Sequence, residues 1–436
     1  MSHIVHDAKA IAATARGIGK SVGGSVMENE TRREGKFGDV EISLPSFKSF
    51  PASQKPSSLT TNILSYLGSW NPLPQAVTDN DTVWLLDNTA YRDASGKWQA
   101  EFLTAVFGRD TGVEVSTIVA DIAEKVGLGQ GDAQEATIQH RLMPFVQRIL
   151  PGRSVPIEFA KQQKIKLGPA GRNGISSDIK AVPTHEDGTV VSSLALVPQG
   201  ANGILQSNTV YAEPEGWGVI SDIDDTIKIT QVSGSMACKV QRPGSEEPPT
   251  GDPIGILRST FVSQATPVEG MPELYAFIQR TISPTSPFFY LSASPYNLYS
   301  FLRDFRQKFF PPGTIILRDA SWMNFAGLLS NLTLGTQEYK VSRINKINKW
   351  LPKRKMICIG DSTQADPETY GEMQAHPIAA LILIRKVADI AALGIKEKNE
   401  PKRFEKAFQD VPKDIWHVFE TPEECYQLVQ DAVGRG

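Results

Sequence analysis

The stretch Gly216-Trp217-Gly218-Val219-Ile220-Ser221-Asp222-Ile223-Asp224-Asp225-Thr226 decides the fold. Its apolar run Gly218–Ile220 leads straight into a cluster of acids. Four more short apolar runs follow: Phe288–Leu291, Thr314–Leu317, Met356–Ile359 and Ile378–Ile384. Helical stretches, Met271–Ile282, Tyr296–Phe309 and Lys340–Leu351, separate most of them. Apolar runs without alternation fit strands buried on both faces of a parallel sheet. Residues 216–436 are therefore expected to form a doubly wound α/β domain, with ligands at the carboxyl ends of the strands.

The acids sit at those ends. Residues two apart in an extended segment point the same way, so Asp222 and Asp224 face one site. Like charges so placed repel unless a cation or a shared proton compensates. A hard cation such as Mg²⁺ answers this, since it takes oxygen ligands and bridges to phosphate. An Asp-rich stretch also serves as a turn or a helix cap, and composition alone does not separate the two readings. The fourth run also ends in acid, Gly360-Asp361-Ser362-Thr363-Gln364-Ala365-Asp366, and neighbouring strand ends would let Asp361 join Asp222. The second run ends Leu291-Ser292-Ala293-Ser294, offering hydroxyl donors, and Lys340 opens a helix ahead of the fourth strand.

Upstream, residues 76–215 read differently. Ser116–Lys125 and Thr137–Leu150 look helical. Val155–Phe159, Lys164–Leu167, Thr189–Leu196 and Thr209–Tyr211 are short β-like runs punctuated by Gly, Asn and Asp. A small β-sandwich-like domain with helical segments is expected there. Residues 1–75 are expected to hold a thin amphipathic helix over residues 3–20 and then a Ser- and Pro-rich linker. Gly17–Ser21 imitates a phosphate loop, but the motif needs glycine where Thr14 stands.

Composition narrows the function classes. The chain has 436 residues and a net charge of −3, which lacks the basic footprint a nucleic-acid partner demands. Cys238, Cys358 and Cys425 form no CxxC pair, which argues against a disulfide framework and against zinc. Neither a secretory signal nor a run of about 18 apolar residues is present, so a cytoplasmic setting is the expectation. A basic cluster, Lys346, Lys349, Lys353, Arg354 and Lys355, surrounds Trp350. It reads either as a solvated helix end or as a patch for anionic lipid, with peripheral membrane association in the second case.

DIDDT at 222–226, a serine ending the second strand, a lysine before the fourth and GDSTQAD at 360–366 together resemble the haloacid dehalogenase superfamily. The fuller strings GWGVISDIDDTIK, GMPELY, FFYLSASPYNLY, FPPGTIILRD and IGDSTQADPETYGE resemble more narrowly the fungal actin patch protein 1-type phosphatidate phosphatases. The resemblance covers residues 205–390 well. It implies a Mg²⁺-dependent phosphatase in which Asp222 is the nucleophile and Asp224 the acid and base. Asp222, the main-chain carbonyl of Asp224 and Asp361 would hold the metal. Ser292 would bind a phosphoryl oxygen and is preferred to Ser294, because the serine precedes Ala in the related lipins. Lys340 would offset charge, with Thr226 and Asp366 in support. The position of residues 230–268 implies a small cap, open to bulky or interfacial substrates. The implied partner is a phospholipid at a membrane surface, with cytoskeletal or endocytic proteins as further candidates. Another phosphomonoester, or an adaptor role without turnover, are the alternatives.

Overall fold

The computed structural model describes residues 74–111, 114–125, 127–128, 134–171, 174–230, 258–318, 336–373, 379–388 and 395–435. The helix and linker expected over residues 1–75, most of the expected cap and Cys238 therefore lie outside the described residues.

Six parallel strands form the sheet that carries the acids. They are β1 (Glu215–Asp222), β2 (Phe288–Pro295), β3 (Thr314–Arg318), β4 (Lys353–Asp361), β5 (Ala379–Arg385) and β6 (Trp416–Phe419). Their order in space is β3-β2-β1-β4-β5-β6, so the chain starts in the middle and winds outward in both directions. The connecting helices are α1 (Met271–Ile282), α2 (Tyr299–Phe309), α3 (Thr336–Trp350), α4 (Asp366–Glu372), α5 (Ile395–Lys398), α6 (Pro401–Ala407) and α7 (Cys425–Gly434).

Alternate strand residues feed two separate cores. Val219, Tyr290, Ile357 and Leu383 pack with Leu274, Leu302 and Val429 on one face. Ile220, Phe289, Cys358 and Ile382 pack with Ile344, Ile347, Phe404 and Phe408 on the other. The sheet is thus covered on both sides, which is why its strands lack alternation.

All five expected strands begin or end within two residues of the apolar runs. The first is longer and begins at Glu215. Strand β6 was not expected, because WHVF is too short to stand out, and Lys340 lies in the second turn of α3 rather than opening it. The expected helix over Thr137–Leu150 runs instead from Gln134 to Val146, and Arg148–Ile149 turns back as a short strand on Phe107–Gly108.

Among the described residues the upstream region is an eleven-stranded sheet, eight strands following one hydrogen-bonded path and three pairing off it. Strands Trp98–Gly108 and Arg153–Phe159 lie four places apart on that path, yet Phe102 meets Phe159 edge-on at 5.7 Å. The sheet therefore folds back over a single core that includes Val83, Trp98, Ile157, Leu167 and Tyr211. Strands Asp81–Leu85, Asn88–Arg92 and Ile175–Ala181 escaped the sequence reading because segments such as NTAYR and ISSDIKA carry too few apolar residues to show a period.

The two sheets are joined through buried charge and aromatic contact. Asp87 is buried and accepts hydrogen bonds from Arg303 Nε (3.0 Å) and Arg306 Nη2 (2.7 Å), both on α2. Three members of the basic cluster, Lys346, Trp350 and Arg354, belong to the same joint. Lys346 is buried and pairs with Glu101 at 2.5 Å. Trp350 stacks on Tyr91 at 5.1 Å. Arg354 donates to Asp187 (2.6 Å) and to the carbonyls of Glu213 and Trp217. The cluster's other lysines, Lys349, Lys353 and Lys355, are exposed, as in a solvated helix end, and Lys353 pairs with Glu215. Sequence could not separate these lysines, because each partner lies more than 100 positions away.

Removing one member of a buried ion pair leaves the other charged and unsolvated. Asp87→Ala is therefore expected to destabilise the protein by about 3 kcal/mol, read as a lower urea midpoint. A change below about 1 kcal/mol would place the joint's strength in its apolar contacts instead.

Candidate active site

Strand β1 is flanked by β2 and β4, with Asp222 in register with Leu291 and Ser221 with Ile359. This pairing brings the serine after Leu291 and the acid after Gly360 to either side of Asp222. Asp222, Ser292, Lys340, Asp361 and Asp366 are all 1% exposed or less. Lys340 Nζ reaches across from α3 to Asp222 Oδ1 at 2.6 Å and also contacts Asp366 Oδ1. Asp366 Oδ2 accepts the main-chain N–H of Asp361. Gly360 is needed for this approach, since a Cβ there would lie 2.6 Å from that of Asp366. Thr226 Oγ1 lies 3.1 Å from Asp222 Oδ2 and 3.3 Å from Asp361 Oδ2, bridging the two acids.

One lysine does not balance these acids. Asp222, Asp361 and Asp366 each offer a carboxylate oxygen, all within 4.8 Å of one another. Burial pushes the Asp361 carboxyl up to about 7, reinforced by Asp366 and Asp225 against the pull of Lys340. Burial likewise raises Asp222 well above the usual carboxylate range, with Asp366, Asp361 and Asp224 adding to it and Lys340 opposing. Burial alone would depress the Lys340 ammonium, but Asp222, Asp366 and Asp361 more than reverse this and keep it charged. A buried cluster of three carboxylates around one ammonium fits a divalent cation, which needs oxygen ligands and supplies the missing positive charge.

The Asp224 carboxylate faces the other way. Its oxygens accept hydrogen bonds from Ser292 Oγ (2.7 Å) and Thr230 Oγ1 (2.9 Å), and Lys228 Nζ lies 3.2 Å away. Ser294 Oγ reaches the same oxygen as Ser292 at 3.4 Å, so the nearer serine is the one preferred from sequence. Burial opposes ionisation of Asp224, yet Lys228 and these hydrogen bonds together hold its carboxyl below the usual range. The turn that permits this places Asp225 in the left-handed region at φ +61°. Such a conformation is tolerated by aspartate because its short side chain bonds locally, here to the N–H of Thr230. Arg385 clamps the turn from β5 through the Asp225 carbonyl at 2.9 Å.

All the residues expected at the site are thus brought together: Asp222, Asp224, Thr226, Ser292, Lys340, Asp361 and Asp366. Lys228, Thr230 and Arg385 were missed. Lys228 had a visible signal, being a cation four residues beyond Asp224, whereas Arg385 had none. Arg318, at the end of β3, is buried with its guanidinium over the Tyr339 ring at 5.3 Å.

Residues 249–386 match the family model described as "Phosphatidate phosphatase APP1, catalytic domain". That span holds Ser292, Lys340, Asp361 and Asp366, while Asp222, Asp224 and Thr226 precede it. The chain is also 28% identical over 249 residues to the phosphatidate phosphatase APP1 of Saccharomyces cerevisiae, covering 55% of this chain and 38% of that relative. The chain is similar to APP1-type phosphatidate phosphatases. It spans well under half the length of the curated relative it matches. Among the described residues no helix is long and apolar enough to cross a membrane.

Lys228→Met removes the cation that holds Asp224 in its ionised form. The acid limb of the pH–rate profile is expected to move to higher pH, with turnover falling about tenfold or more. An unmoved limb would mean that Lys228 does not govern the protonation of Asp224.

Proposed function

We propose that this protein is a Mg²⁺-dependent phosphatidate phosphatase of the haloacid dehalogenase type, working from the aqueous side of a membrane surface. The observation that carries the proposal is the buried convergence of Asp222, Asp361, Asp366 and Lys340 beside an Asp224 that is held apart from them. Two carboxyl groups in different surroundings suit two different tasks.

In this reading an oxygen of Asp222 attacks phosphorus, and the bond from phosphorus to the diacylglycerol oxygen breaks. Asp224 gives its proton to the departing alkoxide. It then removes a proton from water, which attacks the aspartyl-phosphate, frees inorganic phosphate and restores Asp222. Asp222, Asp361 and the main-chain carbonyl of Asp224 would hold the cation, whose charge would offset that on the phosphoryl oxygens. Lys340 adds positive charge beside Asp222 and favours its ionised form. Thr226 fixes Asp222 and Asp361 in mutual orientation, and Asp366 holds Lys340 in place.

Ser292 links binding to protonation. In the free site it donates to Asp224 and favours the anion. A phosphate placed beside it competes for that hydrogen bond and brings negative charge near Asp224. Both effects raise the proton affinity of Asp224, so substrate arrival converts it from base to acid.

Asp222→Asn and Asp224→Asn are each expected to lower turnover by more than about 1,000-fold at unchanged melting temperature, with phosphoenzyme trapped in the second. Wild-type turnover in either variant would remove that residue from the chemistry. EDTA should abolish activity and Mg²⁺ restore it, with Asp361→Ala raising the Mg²⁺ requirement. Full activity in EDTA would exclude the metal. Phosphate release across phosphatidate in mixed micelles, lysophosphatidate and soluble phosphomonoesters decides the substrate, with phosphatidate expected to lead. A soluble ester in first place would leave the phosphatase chemistry and remove the lipid.

A further inference from the structure

Four large apolar side chains stand exposed among the described residues, and three lie on one short segment: Val190 (53%), Leu194 (47%) and Leu196 (37%). Alternation along Val190–Ala195 turns Val191, Ser193 and Ala195 inward and leaves Val190, Ser192 and Leu194 on the outer face of the upstream sheet. Strand register extends that outer face sideways. Pro156, also exposed, stands opposite Leu196, whose N–H donates to the Pro156 carbonyl at 2.8 Å. Glu158 stands opposite Leu194, and the half-buried Val210 opposite Val190. On the next strand Lys166 lies beyond Pro156, and Lys164 beyond Glu158. Both lysines are exposed, as is Lys161 in the turn joining the two strands.

The face is thus an apolar strip of Pro156, Leu194 and Leu196, with Val190 set off from it by Ser192, bordered by Lys161, Lys164 and Lys166, with Glu158 the acid among them. Single exposed apolar residues need no explanation, but a contiguous strip with a charged border marks a contact surface. The border selects the partner. A second copy of the chain would bring lysines toward lysines, whereas an anionic bilayer offers hydrocarbon for the strip and negative charge for the border.

We propose that this outer face docks the protein on an anionic lipid bilayer. Leu194 and Leu196 enter the headgroup boundary while Lys161, Lys164 and Lys166 meet lipid charge. The proposal rests on the lipid reading of the active site and names a surface that reading leaves open. Of the cluster around Trp350, Lys346 and Arg354 are committed to the joint between the sheets and so closed to lipid.

The test is flotation of the full chain with vesicles of phosphatidylcholine alone or mixed with phosphatidylserine. Wild type is expected to bind the mixed vesicles and to be released by salt. Leu194→Asp with Leu196→Asp should lower binding about tenfold or more. Lys164→Ala with Lys166→Ala should weaken binding and flatten its salt dependence. Both pairs should keep wild-type melting temperature and wild-type turnover of a soluble phosphomonoester, since none of the four residues touches the site. Wild-type flotation by both pairs would overturn the proposal, as would a wild type indifferent to phosphatidylserine. A wild-type dimer in light scattering that Leu194→Asp converts to monomer would overturn it in favour of a second copy. Turnover of phosphatidate in mixed micelles judges the lipid reading separately: its loss with intact vesicle binding sinks that reading and not this surface.

Discussion

The buried ammonium of Lys340, shared between Asp222 and Asp366, is the interaction on which the site depends. Three carboxylates on two neighbouring strand ends and the following helix cannot stay ionised together in a dry pocket without positive charge. Lys340 supplies part of it from α3, and so ties the helix that precedes β4 to the acid at the end of β1 and to the one that opens α4. Thr226 and the N–H groups of Asp361 and Thr363 then take up the remaining carboxylate oxygens. What stays unbalanced is negative charge, and that residue of charge makes a cation a structural expectation as well as a catalytic one.

Against this cluster the separate setting of Asp224 acquires meaning. It lies two residues from Asp222 on the same turn, yet Lys228, Thr230 and Ser292 draw its carboxylate to a second environment. Two acids from one short motif thereby differ in proton affinity in opposite directions, Asp222 raised and Asp224 lowered. The turn that separates them is held from outside by Arg385 and relies on the left-handed backbone at Asp225. The upstream sheet enters this arrangement indirectly. Through Asp87 and Glu101 it fixes α2 and α3, the helices that follow Ser292 and carry Lys340.

Much of this was legible in order along the chain. The apolar runs predicted five of the six parallel strands, because a strand buried on both faces must be apolar throughout. The acids at strand ends predicted the site, because topology alone brings the ends of adjacent parallel strands together. Where burial is lopsided or polar, the reading failed. Trp416–Phe419 is too short to show, and NTAYR in Asn88–Arg92 is buried through polar pairing with no apolar pattern.

Sequence by itself determined the doubly wound sheet and the meeting of Asp222 with Asp361, since these follow from local periodicity and the acids at neighbouring strand ends, while the places of Asp366 and Lys340 came from the family resemblance. Tertiary structure alone decided which partner each polar group found. It assigned Lys346 to Glu101 and Arg354 to Asp187, drawing two cations of an apparent basic patch into an internal joint. It also set Ser292 on Asp224 and brought Lys228 to the same carboxylate. The reason is range: hydrophobic periodicity is written within a dozen residues, whereas an ion pair forms wherever the folded chain brings two charges within about 4 Å.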